Sequence, residues 1–248
     1  SDDVVFEDII PFEEAVLLQQ KKQEVPRWVI ITGITLSTII LLVITYLFGL
    51  RLILYNVYFD KALKYLNNNE IEKVSVALQT ALFFKGDLEQ TYTTFSKECW
   101  QIGKYNEALY YLNEVQKKNE HNFKMLNLFA KVYISKEEFD KANYYIDKMD
   151  KYYGLTSESL YNRGEISNLK GDLQKAVDYF EQALMRNSED PAAYIKLRRL
   201  YLKLAQFDKA LKIQSQLQSL KDAPALDAEA FAAYGQIYIS KKEYDKAE

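Results

Sequence analysis

The stretch LYNRGEISNLKGDLQKAVDYFEQAL, residues 160–184, decides the fold of this chain. Small residues stand at Gly164, Ala176 and Ala183, and large apolar residues surround them at helical spacing. Gly171 and Asp172 divide the stretch into two segments, each with one apolar face. We therefore predict two antiparallel helices whose backbones approach closely at the small residues.

The same pattern recurs every 34 residues along the chain. Ala176 has counterparts at Val74, Ala108, Ala142 and Ala210, and Ala247 follows 37 residues after the last of these. A second small residue stands twelve positions earlier in four copies, at Ala62, Ser96, Ala130 and Gly164, whereas Arg198 breaks the pattern in the fifth. A fixed period of this length predicts an all-α solenoid of stacked helix pairs, an architecture that recognises partners rather than catalysing reactions.

This register resembles the tetratricopeptide repeat (TPR) family over residues 55–248, with Gly164, Gly171, Ala176, Phe180 and Ala183 at the family's expected positions. The resemblance implies repeats at 55–88, 89–122, 123–156, 157–190 and 191–224, an insertion at 225–227, and an incomplete sixth repeat at 228–248. Because the chain stops before the second helix of that repeat and opens without Met, we expect the native protein to continue.

A second segment, WVIITGITLSTIILLVITYLFGL at residues 28–50, contains no charged residue. As a helix its 23 residues would extend about 34 Å, enough for a bilayer core of about 30 Å. The alternatives are a cleaved signal peptide and a buried helix, but the run is long for a signal sequence and begins 27 residues into the chain. We predict a single transmembrane helix in contact with lipid, with Trp28, Tyr46 and Tyr55 at its interfaces. Gly33 and Ser37 form a small-xxx-small pair that could join two such helices.

Nothing resembling a flexible linker follows this segment. RLILYNVYF, residues 51–59, stays apolar, and no Gly, Ser or Pro occurs between Arg51 and Ser75. We therefore expect the solenoid to be held in a fixed orientation near the membrane, although a continuous helix can still bend.

The charges give little indication of the side of the membrane on which the repeats lie, because basic residues flank the span about equally at both ends. A short tail before a large domain favours a signal anchor in the inner membrane, with residues 1–27 cytoplasmic and the repeats, residues 51–248, periplasmic. The tail carries seven acidic residues and apolar clusters. It either docks on a cytoplasmic partner or lies disordered or as a weak interfacial helix, and the second alternative is favoured.

Composition and motifs exclude several classes of function. The net charge of −3 disfavours nucleic-acid binding, for which a basic stripe would be expected. Cys99 and His121 are the single residues of their types, and no phosphate-binding, zinc-binding or nucleophile motif is present. We predict no catalytic residue, no cofactor, no metal and no small-molecule substrate, and we interpret Cys99 as a buried packing thiol.

The family resemblance implies a concave groove lined by the first helix of each repeat. At the groove offsets we predict partner contacts by Lys97, Trp100, Lys131, Tyr161 and Arg199. An aromatic anchor beside cations favours a partner segment that bears acidic residues. The alternative is that Trp100 packs against a neighbouring helix while the lysines are merely solvated. The two-carboxylate clamp of some such domains is excluded, since its Lys and Asn are replaced by Phe59 and Leu63.

The convex side carries an aromatic feature as well. Tyr110 and Tyr144 stand two residues after the small anchor, where the family normally exposes a charge. With Tyr152 and Tyr153 they predict an exposed patch for lateral protein contacts. The alternative is simply a tyrosine-rich composition.

Two function classes follow. The first is a membrane-anchored scaffold that contacts other protein subunits of a bacterial envelope assembly; it is similar to the membrane-anchored repeat proteins of the periplasmic collar around spirochaete flagellar motors in architecture, composition and repeat number. The second is a membrane-tethered adaptor or chaperone accessory that binds transient client segments in its groove. The missing linker favours the scaffold.

Overall fold

The computed structural model describes residues 26–221, 231, 234–235 and 237–239, and of Trp28 only the backbone. Most of the N-terminal tail, the insertion at 225–227 and most of the sixth repeat lie outside the described residues. Between residues 26 and 221 the chain forms helices and no strands. The helices are α1 (Arg27–Asn67), α2 (Ile71–Lys85), α3 (Leu88–Gln101), α4 (Tyr105–Lys118), α5 (Phe123–Ser135), α6 (Phe139–Tyr153), α7 (Ser157–Leu169), α8 (Leu173–Arg186), α9 (Pro191–Lys203) and α10 (Phe207–Gln218).

The chain divides into two compact units, residues 1–85 and 86–248. In the first unit α1 packs against α2. In the second, consecutive helices form the pairs α3–α4, α5–α6, α7–α8 and α9–α10. Among the first helices of these pairs, α5 also contacts both α3 and α7. The prediction of an all-α solenoid of stacked helix pairs is confirmed.

The small residues lie where the two helices of a pair meet. The anchors Val74, Ala108, Ala142, Ala176 and Ala210 are at most 2% exposed. At Gly164 an added Cβ would lie 3.0 Å from the ring of Phe180, which is itself fully buried. The period of 34 therefore records the positions at which a larger side chain would force the helices apart.

The backbone conformation of the turn between the two helices of each pair also repeats every 34 residues. The residue types at these positions differ, so the repeat is not visible in the sequence. One residue in each turn has a positive φ: Asn69, Gly103, Glu137, Gly171 and Ala205. In each turn the next residue donates its N–H back to a carbonyl near the end of the first helix, as Asp172 does to Ser167 at 2.9 Å. This is the Schellman arrangement, in which the left-handed residue lets the last carbonyls find donors.

Helix α1 runs without interruption for 41 residues. Its side chains are exposed along most of the apolar stretch, whereas Tyr55, Ala62 and Leu66 near its C-terminal end are buried. From Val29 onward the helix is long and apolar enough to cross a membrane by length and composition. Tyr46 is exposed, and nothing lies within 4 Å of a Cβ built at Gly33. Ser37 donates its hydroxyl to the Ile34 carbonyl at 2.8 Å.

Candidate functional site

A cavity of about 410 Å³ opens on the side of the second unit formed by α3, α5 and α7, and the start of α9 closes one end. Three of the predicted groove residues, Trp100, Lys131 and Tyr161, line it. Lys97 and Arg199 do not line this cavity: Lys97 is exposed on α3, and Arg199 is half-buried on α9. The first helices thus bring together only the central part of the predicted set.

Trp100 both packs against a neighbouring helix and lines the cavity. Its indole Nε1 donates to the Ser135 hydroxyl at 2.8 Å, which ties α3 to α5. The Lys131 ammonium lies 5.8 Å from the centre of the indole ring. Burial lowers the pKa of Lys131, while the carboxylates of Asp190 and Glu158 act in the opposite direction. A half-buried indole beside a partly desolvated cation provides a flat, polarisable wall for a ligand.

The floor of the cavity combines an aromatic ring with a buried amide. The Tyr161 ring packs edge-on against Phe180 at a centroid distance of 5.2 Å, and burial raises the pKa of its hydroxyl. Asn162 is 1% exposed and donates its Nδ2 to Asn127 Oδ1 at 2.8 Å. Among the described residues its own Oδ1 has no hydrogen-bond donor. The floor therefore offers a hydrogen-bond acceptor rather than a donor.

The charges around the cavity differ from those expected from the sequence. Glu158, Glu165 and Asp190 face Lys131 and Lys196, and Lys196 is already paired with Glu165 at 2.8 Å. Three carboxylates against two lysines do not favour the acidic partner segment that we expect from the cations alone. The lining fits a segment that brings a cation or N–H donors.

Glu158, Asp190 and Lys196 are cavity residues that the groove offsets of the repeat do not indicate. Asp190 is the N-cap of α9, where its carboxylate accepts from the Ala192 N–H at 2.9 Å. The N-cap signal of an Asp before Pro191 is visible in the sequence. Only the stacking of the repeats, however, shows that this helix start closes the groove of the repeat before it.

The other predicted surface lies on the second helices. Tyr110 on α4 and Tyr144 on α6 are 60% and 56% exposed. Each ring packs edge-on against the next tyrosine in sequence, at centroid distances of 5.0 and 5.1 Å. Tyr111 is buried and Tyr145 is half-buried, so each pair places one ring inward and one outward.

Tyr152 and Tyr153 serve a different purpose in the structure. The Tyr153 hydroxyl donates to the His121 carbonyl, and the Tyr152 ring lies 3.9 Å from the His121 ring. Both tyrosines therefore hold the end of α6 against the turn that precedes α5. Their rings stay partly exposed, but they are engaged within the chain to an extent that Tyr110 and Tyr144 are not.

One chemically capable side chain, the thiol of Cys99, lies apart from the cavity. Cys99 is fully buried, and the loss of solvation raises the pKa of its thiol to about 12. A thiol of this kind is a poor nucleophile and a poor metal ligand. Within the part of the chain that the structure describes, no group of three His, Cys, Asp or Glu residues could hold a metal ion.

Comparison with known protein families and sequences supports the repeat assignment. A family model described as "Tetratricopeptide repeat" matches residues 169–225. The BBSome complex member BBS4 of Bos taurus is 26% identical over 160 residues, which are 64% of this chain and 30% of that protein. The TPR repeat-containing protein MJ1428 of Methanocaldococcus jannaschii is 25% identical in an alignment of length 232 that covers 77% of this chain and 40% of that protein. The chain thus spans less than half the length of either relative.

Solved structures show the same fold. The Pseudomonas aeruginosa protein pilF has a TM-score of 0.56 and 16% identity, with 79% of this chain and 88% of that chain covered. The APC/C hetero-tetramer Cut9–Hcn1 gives a TM-score of 0.57 and 17% identity over 76% of this chain and 37% of the other. The helix pairs, their turns and these likenesses agree: the chain has the fold of tetratricopeptide-repeat proteins, and residues 169–225 match the family itself. Folds of this kind mediate contacts between proteins.

Proposed function

We propose that the chain is a membrane-anchored TPR scaffold that holds protein subunits within a bacterial envelope assembly. The uninterrupted helix α1 carries this proposal. Its exposed apolar part has the length of a membrane span, and its last turns are the first helix of the first repeat, buried against α2 through Tyr55, Ala62 and Leu66. Because no loop separates the span from that repeat, the two move as one element, as a structural subunit requires.

The finer features of this proposal rest on the sequence. Residues 28–50 span the inner membrane once, residues 1–27 lie in the cytoplasm, and the repeats from residue 51 lie in the periplasm. One assembly of this kind is the collar around a flagellar motor, which the chain resembles in architecture and composition.

Tyr110 and Tyr144 form the convex contact surface of the scaffold in this proposal. The two rings are each more than half exposed and stand one repeat apart. Exposed aromatic surface of this kind is typical of a site of protein contact. Tyrosine also contributes strongly to interfaces, because it buries a large rigid ring and retains a hydroxyl for hydrogen bonding.

The test is native mass measurement of the complex extracted in detergent, with identification of its subunits. The scaffold should emerge in a stoichiometric complex of high mass, and a protein that emerges alone would contradict the proposal. Replacing Tyr110 and Tyr144 together with Glu should release the chain from the complex without loss of helicity. Ser215→Glu, which adds a charge to the exposed face of α10, is the matched control and should leave the complex intact.

The cavity on the concave side favours a second candidate, a membrane-tethered adaptor that binds client segments. In this alternative Trp100 and Tyr161 bind an apolar or aromatic side chain, while Glu158 and Asp190 attract a neighbouring cation of the client. An adaptor is mostly free after extraction, and Trp100→Ala abolishes its client binding. A scaffold keeps its complex when Trp100 is replaced, so the same preparation distinguishes the two functions.

A further inference from the structure

Apolar surface on α1 continues past the charge that ends the span. Arg51 closes the uncharged run, yet Leu52, Ile53 and Val57 beyond it are exposed large apolar side chains. They extend the apolar surface by nearly two helical turns, about 9 Å, on the side of the first repeat. Within the first unit, helix α2 does not cover these side chains.

Helix α2 brings its own apolar end to the same level. The Arg51 Nε donates to the Phe84 carbonyl at 3.1 Å, so the C-terminal end of α2 lies beside the residue at which the uncharged run ends. A guanidinium at this position also complements the negative end of the α2 dipole. Phe83, next to the bonded carbonyl, is 77% exposed, whereas Phe84 is half-buried and stacks on Tyr58 at 5.9 Å.

The groups around Phe83 are those that a membrane interface accommodates. The Lys85 ammonium lies 4.5 Å from the centre of the Tyr55 ring, and the Lys61 ammonium lies 4.7 Å from that of Tyr58. Aromatic rings concentrate at the headgroup level of bilayers, and lysine and arginine extend from there toward phosphate groups. The end of α2 thus presents an exposed ring, with the cations of Arg51 and Lys85 close to the same end of the helix.

We propose that the C-terminal end of α2, centred on Phe83, rests in the headgroup region of the phospholipid bilayer that α1 crosses. The proposal rests on the membrane span of the proposed function and goes beyond it, because it seats the first repeat on the lipid surface. Phospholipid is the partner that we expect to cover Phe83, because the apolar surface continues from the membrane span to the end of α2. The bilayer already surrounds α1 up to Arg51, and the bond from Arg51 to Phe84 holds Phe83 at that height.

The experiment places a fluorophore on single cysteines of the full chain in nanodiscs of phosphatidylcholine and phosphatidylglycerol. Cys99→Ala removes the native thiol, and the reporters are Phe83→Cys and Val76→Cys. Val76 is 64% exposed on the same face of α2, but it stands seven residues, or about 10 Å, further from Arg51. Lipids with a spin label near the headgroup quench from the membrane side, and iodide quenches from water.

We expect the spin-labelled lipid to quench position 83 several-fold more strongly than position 76, and iodide to give the reverse order. Equal quenching at both positions, or a position 83 that iodide reaches freely, would overturn the proposal. A position 83 shielded from lipid and iodide alike would also overturn it, because a protein surface would then cover the ring.

A third reporter, Leu42→Cys in the middle of the apolar run, separates this inference from the membrane span itself. Spin labels deep in the acyl chains should quench it strongly. If Leu42 is quenched from lipid while Phe83 is open to iodide, the seating of α2 fails and the span stands. If Leu42 is quenched only from water, both fail. Circular dichroism of each variant should match the parent, because both reporter side chains on α2 are exposed.

Discussion

Arg198 donates a hydrogen bond to the side-chain oxygen of Gln214 in the interior of the fifth helix pair, where both side chains are buried. Each departs from the repeat pattern. Arg198 replaces the small residue on the first helix, and Gln214 replaces the apolar residue four positions after the anchor Ala210. The two departures therefore compensate each other, since a buried guanidinium needs acceptors and the amide supplies one.

This pairing predicts strong coupling between the two positions. Gln214→Leu alone should lower the free energy of unfolding by about 1–3 kcal/mol, because it removes an acceptor from a buried charge. The double variant Arg198→Ala with Gln214→Leu restores the residue types of the other repeats and should regain part of that loss. Chemical denaturation of the four proteins in a double-mutant cycle measures the coupling. Additive effects would show that the two residues act independently.

The turn residues allow a prediction with opposite signs at equivalent positions. Glu137 has a φ of 57°, and Gly171, one repeat later, has a φ of 83°. Replacing Glu137 with Gly should stabilise the protein by roughly 0.5–1 kcal/mol, because glycine adopts the left-handed conformation without steric cost.

Gly171→Ala is the reverse experiment and should destabilise by a similar amount. Its Cβ would meet nothing within 4 Å, so the effect comes from the backbone alone. Thermal unfolding of both variants gives the comparison. If both substitutions shift the melting temperature in the same direction, the positive φ is not the cause.

The cavity lining predicts a charge preference for any bound segment. With Trp28 replaced by Phe, Trp100 becomes the only tryptophan, and its fluorescence reports on the groove. Peptides that carry an aromatic residue beside a lysine should change that fluorescence, whereas matched peptides with glutamate should not, because Glu158 and Asp190 line the cavity.

Two variants check where such peptides bind. Glu158→Gln should weaken binding of the lysine peptides about tenfold, the effect of roughly 1.4 kcal/mol. Lys118→Ala, at the exposed end of α4 and outside the cavity, should leave the affinity unchanged. If the glutamate peptides bind more tightly than the lysine peptides, the groove prefers an acidic partner segment, as the sequence predicts.

Burial of Cys99 predicts how stability depends on pH. Its pKa is raised to about 12 from an ordinary value of 9.0, so the folded protein keeps a proton that the unfolded chain releases above pH 9. The contribution of the thiol is complete below pH 9 and declines as the pH rises toward 12. Between those values the parent should lose stability faster than Cys99→Ala, by up to about 1.4 kcal/mol per pH unit. Denaturation curves of the two proteins at several pH values test this.

A thiol reagent provides an independent check at neutral pH. Cys99 should react only when the protein opens, so the rate should rise with denaturant in parallel with unfolding. Rapid modification of the native protein would contradict the burial.

The sequence predicts those features that a structural requirement places at a fixed spacing within each repeat. Ala108, Ala142 and Ala176 could be found because close helix contact admits only small side chains. The sequence does not indicate the left-handed turns at Glu137 and Ala205, because neither residue type favours a positive φ. The hydrogen bonds that end the preceding helices impose that conformation, and they outweigh the local preference of the residue.

The groove shows the same limit at longer range. The groove offset predicts Trp100 on the concave side, and Trp100 lines the cavity. Its bond to Ser135, however, joins residues 35 positions apart, which no spacing within one repeat indicates. The cavity charges come from the start of α7 and the start of α9, because a helix of one repeat closes the groove of the one before it.

The sequence by itself determined the helix pairs, their period and the long apolar helix, because each depends on spacing along one helix or between the two helices of one repeat. Only the tertiary structure decided which side chains share the cavity, how Arg198 is accommodated, and that Phe83 lies level with Arg51. These relationships depend on how neighbouring helices pack, and side-chain pairing across such contacts leaves no fixed spacing in the sequence.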